Sequence, residues 1–215
     1  MFEHKTVSLA DQVFERIEED ILSGKYQRGE VITEMGLSAS LGVSRTPVRE
    51  ALRMREQQHL IEERAKGAVV VGITNEDIED IFSVRLKIEG DAAKRAAEKI
   101  TEEELRELTE TIELQEFYTE KKDAERIRMM DSKFHMLIYK AGKSVIYYDI
   151  LMPLHKKAQR YRKMSVENKS RAQRSLCAHR KIYNAISARD GETAKAAAEE
   201  HVKNAAYHIL MGENE

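Results

Sequence analysis

The sequence predicts a mostly α-helical protein in two units, an N-terminal set of three helices closed by a β-hairpin and a longer all-helical bundle. Three observations carry that expectation. Of 215 residues, 41% are apolar and 34% charged, with ten glycines and two prolines, a composition suited to a soluble helix-rich chain rather than a disordered or fibrous one. Apolar residues recur at helical spacing behind cap residues through most of the chain. That period is lost only around residues 60–73, where short β-prone runs replace it.

Taken in order, VSLADQVFERIEEDILSG places Ala10, Val13, Ile17 and Ile21 on one face, with Ser8 as N-cap and Gly24 as stop. After the turn KYQRGEV, a short helix lies between Thr33 and Gly42. A third follows from Ser44, where Pro47 is tolerated because first-turn amides lack intrahelical partners. LIEER and AVVVGI then form a hairpin through Ala65-Lys66-Gly67, with glycine supplying the freedom a tight turn needs. TNED at 74–77 fits a capping box and restarts helix, so the units are expected at 1–73 and 75–215. Six further helices are expected over roughly 75–99, 101–119 (opened by TEEE), 122–141, 144–164, 170–189 and 192–211.

Composition also bounds function. The single cysteine, Cys177, leaves no intramolecular disulfide, and neither a signal core nor a membrane span is visible, so a cytoplasmic location is expected. A net charge of −2 gives no global pull toward nucleic acid. Locally the balance shifts: residues 44–67 carry six Lys/Arg against four Glu, whereas 1–43 carry four against eight acidic residues.

LSASLGVSRTPVREAL has the spacing of a helix-turn-helix, whose second helix enters the DNA major groove. Arg45, Arg49 and Arg53 follow at four-residue intervals on one side, while Val48, Ala51 and Leu52 form an inward face. An arginine fork can read guanine or clamp phosphate, and the hydroxyls of Ser44 and Thr46 near a helix start can hold phosphate. The competing reading is a solvated charged face.

Farther on, RMMDSKFHMLIYKAG sets Asp131 and His135 one turn apart beside an apolar stripe. His179 shares a face with Leu176, Ile182 and Ile186, and His201 lies among Ala197, Ala198 and Ala205. One histidine on such a face is usually a hydrogen-bonded core residue. Three, with an acid, are costly to bury unless each finds a partner, and a divalent cation serves all of them. Three imidazoles and one carboxylate suit Zn²⁺ or Ni²⁺ better than Mg²⁺ or Ca²⁺. His155 and His208 fall outside this set, and His208 reads as core.

Two resemblances sharpen these readings. VSRTPVREAL, preceded by LSASLG and followed by a hairpin, resembles the winged helix-turn-helix of GntR-family bacterial transcription regulators over about residues 7–73. That resemblance implies operator contacts by Arg45, Thr46 and Arg49, phosphate contacts by Ser44 and Arg28, and a wing tip at Gly67 entering the minor groove. Members often carry a basic residue where Met35 stands, a leucine at Arg55 and a glycine at His59. DxxxH, HRKIYNAI and EEHV, with VRLKIEGDAAKRAA and ARDGETAKAAAEEHV, are similar to the FCD effector domain of the FadR subfamily over most of 75–211. By that likeness Asp131, His135, His179 and His201 hold the ion, and Arg85 faces the cavity to pair with an organic acid. At AGKS the family often has asparagine where Lys143 stands.

The resemblance therefore implies a ligand-responsive DNA-binding regulator, usually a repressor, working as a homodimer on pseudo-palindromic double-stranded DNA. Its helical domain would bind a divalent transition metal and a small carboxylate. Two alternatives stand beside it: a purely structural metal or a metal-free acyl-thioester site, and a metalloenzyme fused to a DNA-binding head. No additional acid is placed to act as general base beside a metal-bound water, so an enzyme is not expected.

Overall fold

The computed structural model describes residues 8–22, 24–56, 60–64, 67–164 and 169–210, without the side chains of 22, 54–56, 160–164 and 169–170. The chain divides between Thr74 and Asn75 into two compact units.

In the first unit, α1 (Leu9–Leu22), α2 (Glu34–Leu41) and α3 (Arg45–Glu56) bury Val13, Ile17, Ile21, Leu37, Val48 and Ala51. Cap chemistry sets the ends. Ser8 Oγ accepts from the Asp11 amide at 3.0 Å, and Asp11 returns an acceptor to the Ser8 hydroxyl. Thr33 caps α2 by accepting from the Gly36 amide, and Gly42 closes it in the left-handed region at φ 67°. Both ends of α2 are thus where the sequence places them.

The hairpin consists of β2 (Ile61–Arg64) and β3 (Gly67–Val70), paired antiparallel with Ile61 opposite Val70 and Arg64 opposite Gly67. The expected turn residues Ala65 and Lys66 lie outside the described residues. A two-residue strand, β1 (Val31–Ile32), pairs with the other edge of β3 and gives the order β1-β3-β2. The sequence predicts a turn, KYQRGEV, running through Val31; two residues are too few to show a period, and pairing alone defines the strand. Gly67 owes its identity to this neighbour as well as to its φ of 134°, since an added Cβ would lie 2.8 Å from the Ile32 carbonyl oxygen.

The second unit is entirely helical among the described residues: α4 (Asn75–Lys99), α5 (Glu102–Lys121), α6 (Ala124–Ala141), α7 (Val145–Met164), α8 (Lys169–Ser187) and α9 (Gly191–Leu210). Thr101 and Glu104 form the expected reciprocal capping box at α5, a feature worth ~1 kcal/mol. Small residues let α4 and α9 approach closely: Ala93, Ala96 and Ala97 are buried, as are Ala194 and Ala198. A Cβ on Gly90 would come within 2.8 Å of Glu199 Cγ. Lys143, the departure noted in AGKS, adopts φ 51°, a conformation asparagine tolerates better, and its ammonium pairs with Glu104.

Candidate metal centre and DNA-reading face

α6 projects Asp131, Phe134, His135 and Ile138 inward together because residues three and four apart share a helix face. α7 contributes His155, α8 His179 and α9 His201, and all five polar side chains are buried. Ligand atoms of His135, His179 and His201 fall within 4.8 Å of one another, as do those of Asp131, His135 and His155. The two triads share His135. Donors on opposite sides of an ion bonded at ~2.1 Å lie roughly 4 Å apart, so small inward shifts would close the cage on a cation.

The surroundings hold these groups in the form a cation needs. Gln115 Oε1 accepts from His179 Nδ1 at 2.9 Å, which leaves the Nε2 lone pair toward the cage, 3.7 Å from Asp131 Oδ1. Gln159 donates to Asp131 Oδ2 at 3.0 Å and to the Arg128 carbonyl at 2.9 Å, and its own oxygen accepts from Ser132. Phe134 stacks on His179 with centroids 4.4 Å apart. Burial alone would raise the Asp131 pKa, but His155, His179 and His135 more than offset it and hold the carboxyl well below its ordinary value. Burial, reinforced by His135, pushes His155 down to about 4, against the pull of Asp131. An ionised carboxylate beside neutral imidazole is a cation-binding set.

Buried polar atoms left without hydrogen bonds support the same reading. His135 Nε2 and both ring nitrogens of His155 are buried with no hydrogen-bond partner, although His155 Nε2 lies 3.4 Å from Asp131 Oδ2. Each such group costs about 1–3 kcal/mol unless something satisfies it. The residues therefore fit a divalent transition ion.

Arg85 lies on α4 and is fully buried. It is neither a surface nor a helix-terminal ion pair: Nε donates to Glu89 Oε2 at 2.8 Å and Nη2 to Oε1 at 3.2 Å, one turn along the same helix. Nη1 is buried without a partner. Burial disfavours both charges, but each outweighs that for the other, so the Arg85 pKa rises and that of Glu89 falls well below its usual range.

On the first unit, Ser44, Arg45, Thr46 and Arg49 are all exposed at the start of α3, and Arg28 is exposed in the turn before β1. Gly67 opens β3 at the end of the hairpin. A cleft of about 460 Å³ runs between α3 and the hairpin, lined by Arg45, Arg49, Arg53, Arg64 and Gly67. Arg45 and Arg49 are not simply solvated. Arg49 Nε and Nη2 donate to Glu34 at 2.7 and 2.9 Å, and Arg45 Nη2 donates to the same carboxylate at 3.0 Å. Arg49 first and Arg45 second pull the Glu34 pKa down to about 2. Met35 is exposed, without the cation often found there, while His59 and the Arg55 side chain lie outside the described residues.

His155, which the sequence leaves outside the ligand set, lies in the cage beside Asp131 and His135. The signal was present: Leu151, His155, Ala158 and Gln159 share one stripe of α7. Glu89, Gln115 and Glu34 were not singled out either. His208 is half-buried and lines a groove of about 280 Å³ between α8 and α9, to which His201 also contributes.

Comparison with known proteins bears on both units. Residues 9–71 match the bacterial regulatory proteins of the gntR family, and residues 80–204 match the FCD domain. The chain is 28% identical to the HTH-type transcriptional repressor RspR of Escherichia coli, over 92% of this chain and 87% of that one. It is 32% identical to the gluconate operon transcriptional repressor of Bacillus licheniformis, over 56% of this chain and 50% of that protein. Among solved structures, E. coli McbR/YncC superposes with a TM-score of 0.82 at 23% identity, covering 97% of this chain and all of the other, a likeness of fold. No described helix is long and apolar enough to cross a membrane.

Proposed function

The chain belongs to the GntR family of bacterial regulatory proteins and carries an FCD domain, and from that premise we propose a metal-dependent, ligand-responsive transcriptional repressor of the FadR subfamily. Its helical unit, 75–215, binds a divalent transition ion, Zn²⁺ or Ni²⁺, through Asp131, His135, His179 and His201, with His155 in the same cage. The winged unit, 1–73, reads pseudo-palindromic operator DNA as one half of a cytoplasmic homodimer. One observation carries the metal reading: four helices converge an ionised carboxylate and four imidazoles on a buried point, with nitrogens left unsatisfied.

A bound ion, held by Asp131 and the imidazoles, would supply a Lewis-acidic centre. Arg85 supplies a guanidinium whose Nη1 has no protein partner. A small carboxylate is the chemistry that would satisfy both, and the relative named for a gluconate operon accords with a hydroxylated acid. Ligand binding alters operator affinity to the extent that it favours one arrangement of the reading heads. A purely structural ion would leave operator binding unresponsive to any acid, and an acyl-thioester site would need no metal.

At the DNA face, Arg45, Thr46 and Arg49 contact operator DNA, Ser44 and Arg28 contact phosphate, and Gly67 keeps the wing end slim for the minor groove. Arg49→Ala is expected to weaken operator binding by about 1–3 kcal/mol and to relax preference at one base pair. Selection of bound sequences from a random duplex library, followed by titration of the winner, measures both; unchanged affinity and motif would remove Arg49 from the reading set.

A further inference from the structure

We infer that Glu89 is a positioning residue shared between the metal cage and the anion anchor, so that His135 and Arg85 draw on one carboxylate. The inference rests on the metal reading above.

Glu89 Oε1 lies 3.2 Å from His135 Nδ1 and also accepts from Arg85 Nη2, while Oε2 accepts from Arg85 Nε. A carboxylate can only accept here, so His135 Nδ1 carries the proton and donates to it. Nε2 is then the lone-pair nitrogen. That atom is the His135 nitrogen left buried without a hydrogen bond, and Glu89 behind His135 completes the outer support of the cage, with Gln115 behind His179 and Gln159 behind Asp131. Tyr139, fully enclosed, has its hydroxyl 3.4 Å from the same Nδ1 and belongs to this cluster.

Of the outer partners named here, Glu89 is the one that is itself ion-paired. Negative charge on Glu89 strengthens His135 as a ligand, and Arg85 withdraws part of it. An anion reaching Arg85 Nη1 would take up some of the guanidinium's charge and return Glu89 to His135, so ion and anion binding would favour each other. The pair occupies Nε–H and one N–H of Nη2, so an arriving anion would meet Arg85 chiefly through Nη1.

The test is the zinc affinity of the full chain, measured by competition with a chromophoric chelator, in the wild type, Glu89→Gln, Arg85→Met and the double variant. Melting of each metal-free form is followed in parallel. Glu89→Gln should bind zinc about 10–100-fold more weakly. Arg85→Met should bind it more tightly than the wild type, and the double variant should lie between the singles. A purely structural pair predicts instead that breaking either side weakens zinc binding in proportion to lost stability. Shifts of the same sign, or no shift in Glu89→Gln, overturn the inference while leaving the metal site intact. If Arg85→Met does not fold, Arg85→Gln, which keeps a donor for Glu89, tests the same sign. Absence of zinc binding in the wild type would overturn the metal reading itself.

Discussion

Replacing Phe134 with alanine is expected to cost the helical unit about 3–5 kcal/mol and to loosen the metal cage at the same time. The ring is fully buried, stacks on His179 with centroids 4.4 Å apart and meets His135 edge-on at 5.7 Å. Its removal takes a large apolar side chain from the core and leaves a void against the two imidazoles it braces. Phe134→Leu fills most of the space and should cost less than about 1.5 kcal/mol. Urea denaturation of the two variants, with and without saturating zinc, separates packing from cage geometry. If alanine lowers stability without changing the increment that zinc adds, Phe134 is core alone.

Stripping the ion should have an effect of similar size. A ligand that binds only the folded state stabilises it by about 4 kcal/mol when free at a thousand times its dissociation constant. For a helical unit of this length that is a melting increase of roughly 10–15 °C. Zinc-loaded protein should therefore lose that margin on treatment with excess chelator and regain it on re-addition of zinc. The direction follows from the nitrogens of His135 and His155, which the protein buries without giving them hydrogen bonds. Magnesium should not substitute, because it prefers oxygen ligands and retains water. Equal melting with and without zinc would mean that the cage is a satisfied histidine core.

Local chemistry was legible in the sequence where a single turn or cap determines the outcome. Thr33 and Gly42 bound α2, Thr101 and Glu104 form their box, and the four-residue spacing of Asp131 and His135 puts both inside. Features that arise only on pairing or packing were not legible. β1 exists because β3 offers it an edge. Glu34 reads as an ordinary helix-start acid until α3 folds beside it and brings Arg49 within 2.7 Å. His155 carries the same stripe signal as His179, yet its place in the cage shows only when four helices converge. Arg85 and Glu89 are four residues apart and usually such a pair is a weak surface bridge. Only burial turns this one into a charged element of the site.

The most direct test of the metal centre is the metal content of the 215-residue chain, measured by elemental mass spectrometry after purification without chelators or affinity metals. A stoichiometric divalent transition ion is expected in the wild type, lost in both Asp131→Ala and His179→Ala while the helical content of each variant is retained. A wild-type protein with no such ion, even after incubation with zinc and nickel, would contradict the metal reading.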